Sequence, residues 1–88
     1  PGVSPLHCFL KDTKRARYTS ASDEDALKAF KIVSKYENLR PSLEPSHAFS
    51  IAISEAKKLS KDTIIVVNSC GDAYKDRKIL QKRLGIYL

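Results

Sequence analysis

Asn68-Ser69-Cys70-Gly71 sets an amide, a hydroxyl and a thiol ahead of a glycine, directly after the apolar run Thr63-Ile64-Ile65-Val66-Val67. In open α/β sheets, ligands lie beyond the carboxyl ends of the strands, where the turn into the next helix presents free backbone donors. A small hydroxyl or thiol beside a glycine lets a flat heterocycle come close, because nothing bulky intervenes. The competing reading is a helix cap after a core strand. Glu44, between Leu43 and Pro45, is the carboxylate with the most apolar neighbours. Burial there would raise its pKa and suit it to proton transfer or to a hydrogen bond with a ligand, whereas the alternative is that it caps its own helix. His47, beside Ala48 and Phe49, reads as a packing histidine. His7, Cys8, His47 and Cys70 are of zinc-ligating type, but structural zinc sites show close pairs such as C-x-x-C, and only the adjacent His7 and Cys8 are close here. There is no glycine-rich phosphate loop and no Cys-His or Ser-His-Asp spacing.

The elements that position these groups follow from caps and periodicity. Ser4-Pro5 is an N-cap followed by a proline at the first helical position, predicting a short helix from Leu6 to about Lys11. Arg17-Tyr18-Thr19-Ser20-Ala21 has the content of a short edge strand. Ser22, with Asp23, Glu24 and Asp25 after it, opens a helix in which Ala26, Leu27, Ala29, Phe30, Val33 and Tyr36 recur at three- and four-residue steps and which Asn38 ends. The connection Pro41-Ser42-Leu43-Glu44-Pro45-Ser46 leads into a helix opened by Pro45 and running from His47 to about Leu59, so apolar in its first half that it is expected to pack on both faces. Thr63 to Asn68 is continuously apolar instead of alternating, the mark of a strand covered on both faces of a parallel sheet. Asp72 caps a last helix through about Leu84, and Gly85 ends it. The expected fold is therefore α/β, in the order α-β-α-α-β-α, with the sheet partners of the central strand supplied from outside these residues, since two strands alone make a marginal sheet.

The chain has 88 residues, 42% hydrophobic and 30% charged, which is globular composition and room for one small domain covering residues 1–88. The net charge of +6 raises the question of nucleic acid. The basic residues alternate with acids on expected helix faces, without the interleaved aromatics that stack bases, so no nucleic-acid partner is expected. No run approaches the roughly 18 apolar residues of a membrane span, so no membrane partner is expected either. Cys8 and Cys70 are far apart, with no disulfide density, and read as free thiols in a cytoplasm. The opening Pro1-Gly2-Val3-Ser4-Pro5 has neither an initiator Met nor a signal pattern, as in a chain begun within a longer reading frame.

Three segments, PGVSPLHCFLKDTKRARYTSASDEDALKAF, YENLRPSLEPSHAFSIAI and KDTIIVVNSCG, resemble in order and nearly without gaps the C-terminal portion of the tryptophan synthase β-chain family, pyridoxal-phosphate enzymes of fold type II. The most specific parts are the opening Pro-Gly-Val with its proline and histidine, the run PSLEPSHA where the family reads PALESSHA, and the strand leading to an Asn and a small residue before glycine. The resemblance implies a lyase that condenses indole with L-serine to give L-tryptophan, beside an α subunit that supplies indole and with a second β chain. It implies that Cys70, at a family serine, contacts the pyridine nitrogen of the cofactor, next to Gly71. It implies that Glu44 is the pocket carboxylate, and that the Gly2 carbonyl helps bind a monovalent cation.

Departures accompany it. After Gly71 the family continues Arg-Gly-Asp-Lys-Asp, and this chain reads Asp72-Ala73-Tyr74-Lys75-Asp76, keeping only Lys75 and Asp76 in register. Asn38, Arg40 and Pro45 stand at glycine, apolar and serine positions. The lysine that forms the Schiff base and the loop that holds the cofactor phosphate lie upstream in the family, so these residues alone are expected to be an inactive fragment. The competing class is a non-catalytic basic binding module derived from the same fold.

Overall fold

The computed structural model describes residues 4–88. Helix α1, Pro5–Asp12, starts as its cap predicts: the Ser4 hydroxyl accepts from the His7 N–H at 3.2 Å, with proline at the first position. It buries none of its residues, and Leu6 and Phe9 remain largely exposed.

Helix α2, Asp23–Glu37, has a reciprocal capping box, in which Ser22 accepts from the Asp25 N–H at 3.1 Å and the Asp25 carboxylate accepts from the Ser22 N–H at 3.3 Å. Three acids in its first turn favour the positive end of the dipole, and Asn38 ends it at a left-handed φ of 54°. Ala26, Leu27, Ala29, Phe30 and Val33 are buried as the periodicity predicts, while Tyr36 points to solvent.

Helix α3, Leu43–Ala56, begins two residues earlier than a proline at its first position would require. Pro45 is its third residue, where the missing N–H costs no helical bond because the first four N–H groups have no intrahelical partner. The helix stops at Ala56, short of Leu59, in a turn where the Lys58 N–H donates to Glu55 O at 2.9 Å. It packs beside α2, but only Pro45 and Ser46 are buried, so the second apolar face expected of it is half-covered.

A 3₁₀ turn, Ala73–Asp76, leads into α4, Arg77–Leu84, ended by Gly85 at a φ of 67°. Leu27, Phe30, Ala73 and Leu80 form the core, with Leu43, Leu84, Ile86 and Leu88 packed around it.

The helices appear in the expected order, but neither strand segment forms a ladder, and among the described residues the one backbone bridge pairs Pro41 with Asp72. Residues 17–21 have no partner strand. Among the described residues, 63–68 make no backbone hydrogen bond beyond that of Thr63, whose N–H donates to Ser60 O at 3.1 Å. Ile64 is 86% and Val66 88% exposed, the reverse of a strand covered on both faces. The physical reason is that a strand exists only through a neighbour, and none is present here to accept its N–H groups. The radius of gyration, 14.6 Å, exceeds the about 12 Å of a compact body of this length.

Candidate functional site

The two segments singled out by residue type meet along one seam, where the start of α3 lies against residues 70–76. Five contacts tie it. Pro41 and Asp72 form their antiparallel bridge, and the Ala73 N–H donates to Arg40 O at 3.0 Å. The Ser42 hydroxyl donates to Cys70 O at 3.0 Å. The Leu43 N–H donates to the Asp76 carboxylate at 2.7 Å. Across the outer edge the Lys75 ammonium sits 3.8 Å from the Glu44 carboxylate.

The backbone of the seam is dense, and its side chains are of two kinds. Ser42 and Ser46 are fully buried, the Ser46 hydroxyl donating to Ser42 O at 2.8 Å. Cys70 and Glu44, in contrast, are exposed. Gly71 has a φ of 83°, and a Cβ there would come within 3.0 Å of the Ser42 hydroxyl oxygen, so both its conformation and its surroundings call for glycine. Cys70 thus stands exposed beside a tight turn whose glycine is packed against the buried Ser42.

Glu44 does not have the apolar surround expected of it: its side chain is 78% exposed and lies within ion-pair reach of Lys75. It lines a groove of about 560 Å³ whose other wall is the extended stretch from Arg17 to Ala21, with His47 and Ile51 on the floor side. Cys70 is not among the walls of that groove. The structure therefore joins the two segments through their backbones while their functional groups face different directions.

His47 is the most constrained titratable group nearby. Nδ1–H donates to Leu43 O at 2.8 Å, and Nε2 lies 3.2 Å from the Asp23 carboxylate at the start of α2. Partial burial pushes its pKa down, but the hydrogen bonds to Asp23 and to the backbone of Leu43 and Glu44 outweigh this and hold it above the ordinary histidine value. The packing role read for it holds in a more specific form, as a tie between α2 and α3. Behind it a cleft of about 220 Å³ opens between α2, α3 and α4, rimmed by Asp23, Asp76 and Arg83, and Arg83 is ion-paired with Glu24.

His7, Cys8, His47 and Cys70 are not brought together, and among the described residues no three His, Cys, Asp or Glu side chains gather as a metal group would require. His7 instead engages the Tyr18 hydroxyl through Nδ1 at 2.7 Å. Gly2, the residue implied in cation binding, lies outside the described residues. Among the described residues no helix is long and apolar enough to cross a membrane.

Ser42 and Asp76 were not singled out from sequence as parts of the site, though they hold it together. A serine just before a helix reads as that helix's own cap, and an aspartate among lysines reads as solvated surface. No family model matches the chain.

Proposed function

We propose that this chain is part of a pyridoxal-phosphate lyase of the tryptophan synthase β-chain kind, an α/β enzyme of fold type II that joins indole to L-serine to give L-tryptophan. The observation that supports this most is the seam. The runs PSLEPSHA and NSCG, which carry the resemblance and lie 28 residues apart between Ser42 and Cys70, are hydrogen-bonded neighbours. The unpaired apolar segment 63–68, with Ile64 and Val66 exposed, is what a central strand looks like without the rest of its sheet.

Cys70 and Glu44 would serve such a site from separate parts of the seam, since Cys70 does not line the Glu44 groove. Cys70 presents an exposed thiol, and a thiol can donate or accept weakly at a ring nitrogen. Bound there, pyridoxal phosphate would supply the electron sink that lets serine lose its hydroxyl as water while indole takes its place. Cys70 would orient the ring, and Glu44 would hold or move a proton at its carboxylate once the groove between residues 17–21 and α3 is closed by further chain. The phosphate-binding loop and the cofactor-anchoring lysine would come from the segment upstream, as would the rest of the sheet. A cation held with the help of Gly2, an α subunit and a second β chain belong to the same proposal.

The test is to express the intact polypeptide that contains this segment and the 88-residue segment alone, and to add pyridoxal phosphate, L-serine and indole to each. Tryptophan should form with the first and not with the second. A lone segment that melts cooperatively as a soluble monomer, or an intact polypeptide that takes up no cofactor, would overturn the reading.

A further inference from the structure

A serine at the N-cap of a helix ordinarily turns its hydroxyl oxygen to the helix's own second or third N–H. Ser4 and Ser22 do this at the starts of α1 and α2. Ser42 does not: it makes no side-chain cap bond, and its hydroxyl donates instead to the carbonyl of Cys70, 28 residues away. The capping duty passes to Asp76, whose carboxylate accepts from the Leu43 N–H at 2.7 Å. Each segment thus supplies a side chain to the other's backbone, Asp76 to the Leu43 N–H and Ser42 to the Cys70 carbonyl.

The bond from Ser42 is enclosed. Ser42 is fully buried, its own carbonyl is taken up by the Ser46 hydroxyl and N–H, and Gly71 closes over its oxygen so tightly that a Cβ there would stand at 3.0 Å. Among the described residues the acceptor this hydroxyl meets is the carbonyl of Cys70, itself an exposed residue. With Cys70 O fixed on the inner side and Gly71 committed to its left-handed turn, the direction of the Cys70 side chain is set from below.

We propose that Ser42 is a positioning residue, whose buried hydroxyl locks the Cys70-Gly71 turn so that the thiol is held in register with the start of α3; its role toward a cofactor ring rests on the function proposed above. Ser42 touches no substrate and acts only through Cys70.

The test uses the intact polypeptide and the variant Ser42→Ala, which removes a single oxygen atom. The first readout is amide hydrogen exchange at Ala73, whose N–H donates to Arg40 O beside the lock. Loss of one buried hydrogen bond predicts exchange there roughly five to ten times faster, with the amides in the middle of α2 unchanged. Acceleration of α2 by the same factor would mean that Ser42 only supports overall stability, and unchanged exchange at Ala73 would mean that there is no lock; either result overturns the proposal. Should Ser42→Ala fail to fold, Gly71→Ala pushes on the same hydroxyl from the opposite side, and must accelerate Ala73 in the same selective way. The second readout is the absorption maximum of added pyridoxal phosphate, which should move in Ser42→Ala while the cofactor still binds. A bound cofactor with an unmoved spectrum overturns the positioning role. If the unaltered polypeptide binds no pyridoxal phosphate, the functional reading falls and the role toward the ring falls with it, whatever exchange shows. If the cofactor binds and Ala73 is indifferent to Ser42→Ala, the lock falls and the functional reading stands.

Discussion

Gly71→Ala and Gly85→Ala make a matched pair, because both glycines are left-handed, at φ of 83° and 67°, while only one of them is crowded. At Gly85 nothing lies within 4 Å of a new Cβ, so the substitution carries the conformational cost alone, about 1 kcal/mol. At Gly71 the same cost applies and the methyl group also meets the Ser42 oxygen at 3.0 Å and the Lys75 side chain at 3.5 Å. Lysine can swing aside. Ser42 cannot, being fully buried and bonded to Cys70 O, so relief requires giving up that bond at a further cost of about 1 to 1.5 kcal/mol. The expected loss is therefore about 1 kcal/mol for Gly85→Ala and about 2 to 2.5 kcal/mol for Gly71→Ala. Urea denaturation of the protein measures both, provided the slope with denaturant is the same, so that midpoints report stability. If the two variants fall within about 0.3 kcal/mol of each other, the seam is not packed as described and the reasoning fails.

Two other outcomes follow from the packing and the charges. Leu80→Ala, at a fully buried core position, should cost about 2 to 5 kcal/mol in the same assay, and a loss below 1 kcal/mol would show that α4 is not seated on Phe30 and Leu27. The raised pKa of His47 means that its tie to Asp23 is fully stabilising below the unfolded value of about 6.5 and is lost as the pH rises through the higher folded value. Nuclear magnetic resonance titration should therefore show a lower His47 midpoint in Asp23→Asn than in the unaltered chain, and an unmoved midpoint would refute the pairing.

The helices were legible where their signals are local. Ser22, the three acids and the spacing from Ala26 to Val33 suffice for α2 because every contact that starts it lies within one turn. Gly85 likewise ends α4 with bonds to its own last turn, from its N–H to Gln81 O and Leu80 O. The start of α3 was misplaced because Pro45 is a local signal, whereas the cap that decides the matter comes from Asp76, 33 residues away from Leu43. Residues 63–68 carry the composition of a buried strand, but composition cannot supply the neighbour that makes a strand, and in the structure they form no ladder and all but Val67 are exposed. Of the candidate site, the residue types at Glu44 and Cys70 could be picked out, but their relation could not. It runs through Ser42, whose position before a helix gives a sufficient local explanation and so conceals the distant one. The burial expected of Glu44 is absent because the groove it lines has only one helix and one extended segment for walls.

The cap that Asp76 lends to α3 also ties the start of one helix to the closing of a long loop. Helix α2 carries both halves of its capping box, so every contact that caps its start lies within one turn of chain. The first turn of α3 lacks a side-chain cap from Ser42 and acquires one only when the chain between Leu43 and Asp76 has closed into a loop, with the entropy of that closure already lost. The start of α3 thus hangs on a residue 33 positions further along, and a chain halted before Asp76 would keep the Ser42 bond to Cys70 O but leave the Leu43 N–H without its carboxylate.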